Sequence, residues 1–113
     1  KYGGASLARR IIPAVDHLSK ALEATEVGEG TESVIAGVRL TLDGLRSSLE
    51  SEGINEILAL GNDFDPTCME AIATVPCPEG ENPGSVIEVI ETGYRMHNRI
   101  LRASKVIVAE GDS

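Results

Sequence analysis

Among the side chains in this 113-residue sequence whose types could do chemistry are a pair of neighbouring carboxylates, two thiols and two imidazoles: Asp63 and Asp65, Cys68 and Cys77, His17 and His97. Paired carboxylates serve general acid–base catalysis when a cleft forces their pKa values apart. Asp63 and Asp65 instead stand two residues apart in a Gly-Asn-Asp turn followed by Phe-Asp-Pro, where short carboxylates cap backbone donors. A Cys–His metal site would need all four thiol and imidazole groups to converge, and their spacing matches no ligand motif. Two cysteines fit free thiols in a reducing compartment better than a disulfide framework. No phosphate-binding loop, dinucleotide fingerprint or nucleophile elbow is present. The sequence therefore predicts a protein that binds rather than one that transforms, without metal or cofactor.

Its charges point the same way. The formal net charge is −8 and the pI about 4.7, which argues against nucleic acid and against an anionic membrane surface as partners. Between Ile54 and Glu110 there are nine acidic residues, whereas the four basic ones, Arg95, Arg99, Arg102 and Lys105, fall within eleven residues. Such a cluster is either an ordinary solvated strand or a docking edge for an acidic protein surface, with arginine supplying forked donors.

The elements that must carry these residues are of two textures. Leu7, Ile11, Val15, Leu18 and Leu22 are spaced 4, 4, 3, 4, and Val34, Val38, Leu42, Leu45 and Leu49 repeat that spacing. Each is the stripe of an amphipathic helix. Pro13 inside the first predicts a kink or a change of packing, Glu23 to Gly30 reads as a loop, and Thr31 and Gly53 read as the caps of the second helix. Gly37 and Gly44, two turns apart, predict a close helix–helix approach. Two such helices form an antiparallel hairpin whose stripes stay wet unless two copies make a four-helix bundle.

Past Gly53 short strands replace helices: Ile54–Leu60, part of Cys68–Val75 after one helical turn, and a run from Gly84 to Glu110. That last run reads as one antiparallel hairpin turning at His97-Asn98. No apolar run approaches the ~20 residues that span a bilayer, and nothing at the start resembles a signal peptide. The chain opens on Lys1 rather than Met, so an upstream segment is expected. The fold class is α+β: residues 1–53 form the end of a long helix and a helical hairpin that dimerises into a four-helix bundle. Residues 54–113 form a small all-β C-terminal domain.

Several blocks resemble a known family. Arg10 to Leu22 is similar to the Leu-Leu-Pro-x-x-Asp-x-Leu-x-x-Ala-Leu signature of the GrpE nucleotide exchange factors, which serve DnaK-type chaperones. Phe64-Asp65-Pro66 with Glu70-Ala71 resembles a second family segment. Pro83 to Val89, Gly93-Tyr94 and Arg99-Ile100-Leu101-Arg102-Ala103 resemble its C-terminal block. Met69, Asn98, Ala103 and Lys105 depart from the family pattern.

The resemblance implies a homodimer with a central bundle, a β-domain on each subunit, and a long paired helix of which this chain holds only the end. Its dimer interface would comprise Leu7, Ile11, Val15, Leu18, Leu22, Val34, Gly37, Val38, Leu42, Leu45 and Leu49. One β-domain would enter the cleft of the chaperone's nucleotide-binding domain and open it, so that ADP leaves. Carried over by motif, the chaperone-binding residues are Phe64 and Pro66 as an extended hook, Arg99 as a charge-assisted contact and Val108 as an apolar contact. Tyr2 and Glu23 join them on the helical side. The family's partition makes the cytoplasm the expected compartment, with mitochondrial matrix or plastid stroma as alternatives. The rival reading is a dimeric protein-binding adaptor without exchange activity.

Overall fold

The computed structural model describes residues 4–24 and 31–111. The chain has an α+β fold, two helices followed by two small sheets, and it divides into compact units at Gly53 and Ile54.

In the first unit, α1 (Ala5–Ala24) runs unbroken through Pro13, and Glu23 and Ala24 of the expected loop lie inside this helix. The remainder of that loop lies outside the described residues. α2 (Glu32–Ser51) begins after Thr31, whose side chain makes no capping hydrogen bond. The expected threonine cap is thus corrected: at φ −102° and ψ −13° the residue is already near-helical, not in the extended conformation that aims a hydroxyl at the first amides. Gly53 closes the helix at φ 81°, its amide donating to Glu50 O at 2.9 Å. That left-handed geometry is the reason for glycine there.

The two helices pack antiparallel. Arg46 Nη2 donates to Ser19 Oγ at 2.8 Å, and Leu22 and Glu23 share a small recess with Leu42 and Arg39, so residue order reverses across the pair. The buried line on α1 is Ala5, Ala8, Ile12 and Val15. Ile11 and Leu18 of the large aliphatic stripe are only half-buried. Gly37 and Gly44 are exposed, with nothing within 4 Å of where a Cβ would stand. The close approach expected of them is therefore not made within one chain.

The second unit holds β1 (Ile54–Glu56), β2 (Met69–Val75), β3 (Val86–Glu91), β4 (Tyr94–Met96), β5 (Arg99–Arg102) and β6 (Ser104–Ala109). They form two three-stranded sheets, ordered β1-β4-β5 and β2-β6-β3. β6 pairs parallel with β2 and antiparallel with β3. The first expected strand is shorter than read, because Ile57 to Leu60 leave the ladder.

The long hairpin is also corrected. Its turn stands where the sequence placed it, with His97 at φ 55°, a conformation that His and Asn reach more readily than bulkier residues. It joins only β4 to β5, while β3 and β6 pair in the other sheet. The chain leaves one sheet at Gly93 and returns at Ala103. A Cβ on Gly93 would lie 2.4 Å from the Ser104 amide nitrogen, and the Gly93 amide donates to the buried Ser104 Oγ at 3.0 Å. Only glycine permits this crossing.

One core cluster of this unit is Ile57, Ala59, Cys68, Met69, Val86, Val106 and Val108, with Phe64, Val89 and Ile100 packed against it; Ile54, Tyr94, Met96 and Leu101 of the β1-β4-β5 sheet are buried as well. Aliphatic and sulfur side chains fill it because the chain has no Trp and one Phe.

Candidate protein-binding surface

The four cations of the second unit are not a free docking edge. Arg102 donates from Nε and Nη2 to Thr92 O, at 2.9 and 2.5 Å. Its guanidinium lies 5.5 Å from the centre of the Tyr94 ring and 3.7 Å from Glu91. Lys105 is 3.9 Å from the same carboxylate. Both are committed to their own unit, which corrects the picture of a strand edge carrying four available charges. The reason is the split into two sheets, which brings Thr92 and Glu91 of the β3–β4 crossing beside Arg102 and Lys105. Arg99 is exposed on β5. Arg95 is half-buried on β4 and helps to hold the nearby Asp65 ionised.

The expected contact residues fare differently. Pro66 is exposed, in the turn after Asp65. Phe64 is half-buried against the core, its amide donating to Gly84 O at 3.0 Å, so most of its ring serves packing. Val108 is corrected outright: it is 7% exposed and belongs to the core, because alternation along β6 turns Ser104, Val106 and Val108 inward. Glu23 is exposed beside Arg39 and Arg46. Tyr2 lies outside the described residues.

Between Phe64 and β2 the backbone is fixed by Asp65. Its Oδ1 accepts the Thr67 hydroxyl at 2.6 Å and the Thr67 amide at 2.9 Å. These bonds hold the Asp65 carboxyl below the usual carboxylate range, with the Cys68 thiol and the Arg95 charge adding to the effect. Sequence reasoning missed the exposed apolar side chains of this unit: Leu58, Leu60, and Ile72 and Ile90 on the edge strands β2 and β3. The available signal was Leu58 and Leu60 alternating with Ile57 and Ala59, since period-two spacing puts one set out when the other is in.

On the helical unit the eleven expected interface residues fall into three groups. Val15, Leu42 and Leu49 are buried. Ile11, Leu18, Leu22, Val38 and Leu45 are half-buried, and Leu7, Val34 and Gly37 are exposed. At about 100° per residue, Leu7, Ile11 and Leu18 lie roughly 80°, 40° and 60° to one side of Val15. Val34, Val38 and Leu45 lie at the same offsets from Leu42, because the spacings are identical. In an antiparallel pair these offsets fall on one common face. The hairpin therefore carries a half-covered apolar face made by both helices.

The GrpE family model matches residues 1–110. The chain belongs to the GrpE family. A Protein GrpE from Tetragenococcus halophilus is 43% identical over 110 residues, covering 97% of this chain and 58% of that protein. Those from Limosilactobacillus reuteri and Latilactobacillus sakei are each 39% identical over 110 residues, with 97% of this chain and 58% and 55% of theirs covered. The chain thus spans somewhat over half the length of these GrpE relatives. Among the described residues of this GrpE chain no helix is long and apolar enough to cross a membrane, and no three His, Cys, Asp or Glu side chains are grouped to hold a metal ion.

Proposed function

We propose that this chain is the dimerising and chaperone-engaging part of an adenine nucleotide exchange factor. The helical unit pairs with a second copy through the face carrying Leu7, Ile11, Leu18, Val34, Val38 and Leu45. The β unit engages the nucleotide-binding domain of a DnaK-type chaperone, in the cytoplasm, through Pro66, the exposed edge of Phe64, and Arg99. The helical side contributes Glu23 and Tyr2.

The observation that carries this reading is the family match along nearly the whole chain. The mechanism needs no catalytic group. A protein that binds the open cleft better than the closed one weakens ADP by the same factor, because the coupling free energy is reciprocal. Reversing a 1:99 open-to-closed ratio takes about 5.5 kcal/mol of differential binding.

The deciding experiment is stopped-flow release of fluorescent ADP from a DnaK-type chaperone, with and without excess of this chain. Acceleration by orders of magnitude is expected. Tight binding without acceleration would leave an adaptor in place of an exchange factor.

A further inference from the structure

We propose that the recess of the β unit bordered by Leu58, with Glu56, Asp63 and Asp65 around it, is a docking site for a protein segment that presents a lysine or arginine beside an aliphatic side chain. Leu58 is the most exposed large apolar side chain among the described residues, at 80%, and Leu60 follows two positions on at 65%. Loose packing does not explain this exposure. Ile57 and Ala59 on either side of Leu58 are buried, so the segment is pegged into the core at alternate residues. The loop beyond is fastened by Gly61 N to Val86 O at 3.0 Å and Val86 N to Asn62 O at 2.8 Å. Asn62 Nδ2 also donates to Leu58 O at 2.7 Å. A partner would meet a pre-organised surface and would not have to order it.

Beside Leu58 the surface opens into a recess of about 420 Å³, lined also by Ile57, Asn62, Cys68, Met69 and Arg95. That volume is in the range of small-ligand clefts, ~300–1,000 Å³. Its charged groups are the Glu56, Asp63 and Asp65 carboxylates and the Arg95 guanidinium; Glu56 already interacts within the chain and Arg95 acts on Asp65, so the excess of negative charge rests chiefly on Asp63 and favours a cationic occupant. The carboxylates are spread around a wide recess and do not converge as a metal site does. Lysine and arginine suit that spread, because the alkyl stem lies on an apolar wall while the head reaches carboxylates. A leucine-sized neighbour on the same segment would cover Leu58 and Leu60. The site is independent of the exchange reading, and nothing in it requires that Phe64, Pro66 or Arg99 touch a chaperone.

The test is amide-resolved NMR of the whole chain titrated with the peptide acetyl-Gly-Leu-Arg-Leu-Lys-Gly-amide. Two control peptides carry glutamate or glutamine at both basic positions. The basic peptide is expected to shift the amides of residues 56–63, 65, 68, 69 and 95, and the glutamate peptide to leave them in place. Leu58→Ser and Asp63→Asn, both exposed positions, should each weaken binding by about fivefold or more. Arg95→Gln, which removes the recess's own cation, should tighten it. The proposal is overturned if the basic peptide shifts nothing at the recess, or if the glutamine peptide binds as well, which would leave only an apolar patch. Shifts there on raising the protein concentration alone would make a second copy the occupant, and would overturn it too. No chaperone enters the experiment, so its outcome and that of the ADP-release experiment fail separately.

Discussion

The two units solve the problem of a small core in opposite ways. The β unit closes its core with side chains from all six of its strands, and then ties the surface down: Arg102 to Thr92, Glu91 and Tyr94, Asp65 to Thr67, Gly93 to Ser104. The helical unit buries the line Ala5, Ala8, Ile12 and Val15 on α1 and leaves Leu7 and Val34 about two-thirds exposed on the face its helices share. A two-helix hairpin has no third layer to cover such a face. One unit reads as finished and the other as half of something.

The glycines make that contrast sharpest. Gly93 sits where a Cβ would meet Ser104 and Ala103 backbone atoms at 2.4 and 2.8 Å, so neither partner can yield without moving a strand. Gly93→Ala should destabilise the β unit by about 3 kcal/mol, in the upper range for overpacking. Urea unfolding followed by amide signals of residues 54–111 reads it. A loss under about 1 kcal/mol would mean that the crossing between the sheets is looser than its hydrogen bond indicates.

The unfinished face is tested by removing its most exposed members. Leu7→Ser with Val34→Ser should weaken self-association by about 2–3 kcal/mol, some thirtyfold or more in the dimer dissociation constant. Sedimentation equilibrium measures this. In a chain whose hairpin is complete alone, the same change would leave sedimentation untouched and alter stability by no more than about 0.5 kcal/mol.

Charge divides the β unit in the same spirit. Arg102 is half-buried and bonded to Thr92, and Arg99, which is exposed, is the one proposed for the partner surface. Arg99→Ala should lower chaperone affinity by about 1.5–2 kcal/mol, as expected for a charge-assisted hydrogen bond. Calorimetric titration would detect it, and unchanged affinity would remove Arg99 from the interface.

How far the sequence reached follows from what repeats and what does not. Helix stripes are local and periodic, so both helices, their antiparallel pairing and the Gly53 stop were legible, as was the His97-Asn98 turn. The partition of the C-terminal strands into two sheets was not, because it depends on one close contact between Gly93 and Ser104, eleven residues apart. The same partition brings Glu91 and Thr92 beside Arg102 and Lys105. Of the buried line on α1 the stripe caught only Val15; Ala5 and Ala8 were missed because methyl groups weigh little in a stripe, and Ile12 with them because it stands on their side of the helix.

Gly44 offers a smaller effect of opposite sign. Nothing lies within 4 Å of its missing Cβ, so Gly44→Ala should stabilise the helical unit by up to about 1 kcal/mol through helix propensity alone. Thermal unfolding at low protein concentration would show the gain. If it reverses into a loss at concentrations where the chain is dimeric, Gly44 lies against the second copy, and the glycine belongs to the interface that one chain leaves open.

The smallest effect concerns the fixed loop of the β unit. Thr67 donates twice to the Asp65 carboxylate and holds its pKa below the ordinary 3.8. A carboxyl depressed in the folded state contributes stability that is fully present above its unfolded value. That stability is lost as pH falls through the lower folded value. It should therefore persist at neutral pH and fade only below 3.8, and Asp65→Asn, which keeps an acceptor for Thr67 but has no proton to take up, should flatten that part of the profile. Because the group is open to solvent, the change is small and is best read as a carboxyl chemical-shift titration in place of a melting curve. An Asp65 carboxyl that titrates at or above 3.8 would show that the Thr67 bonds do not hold in solution.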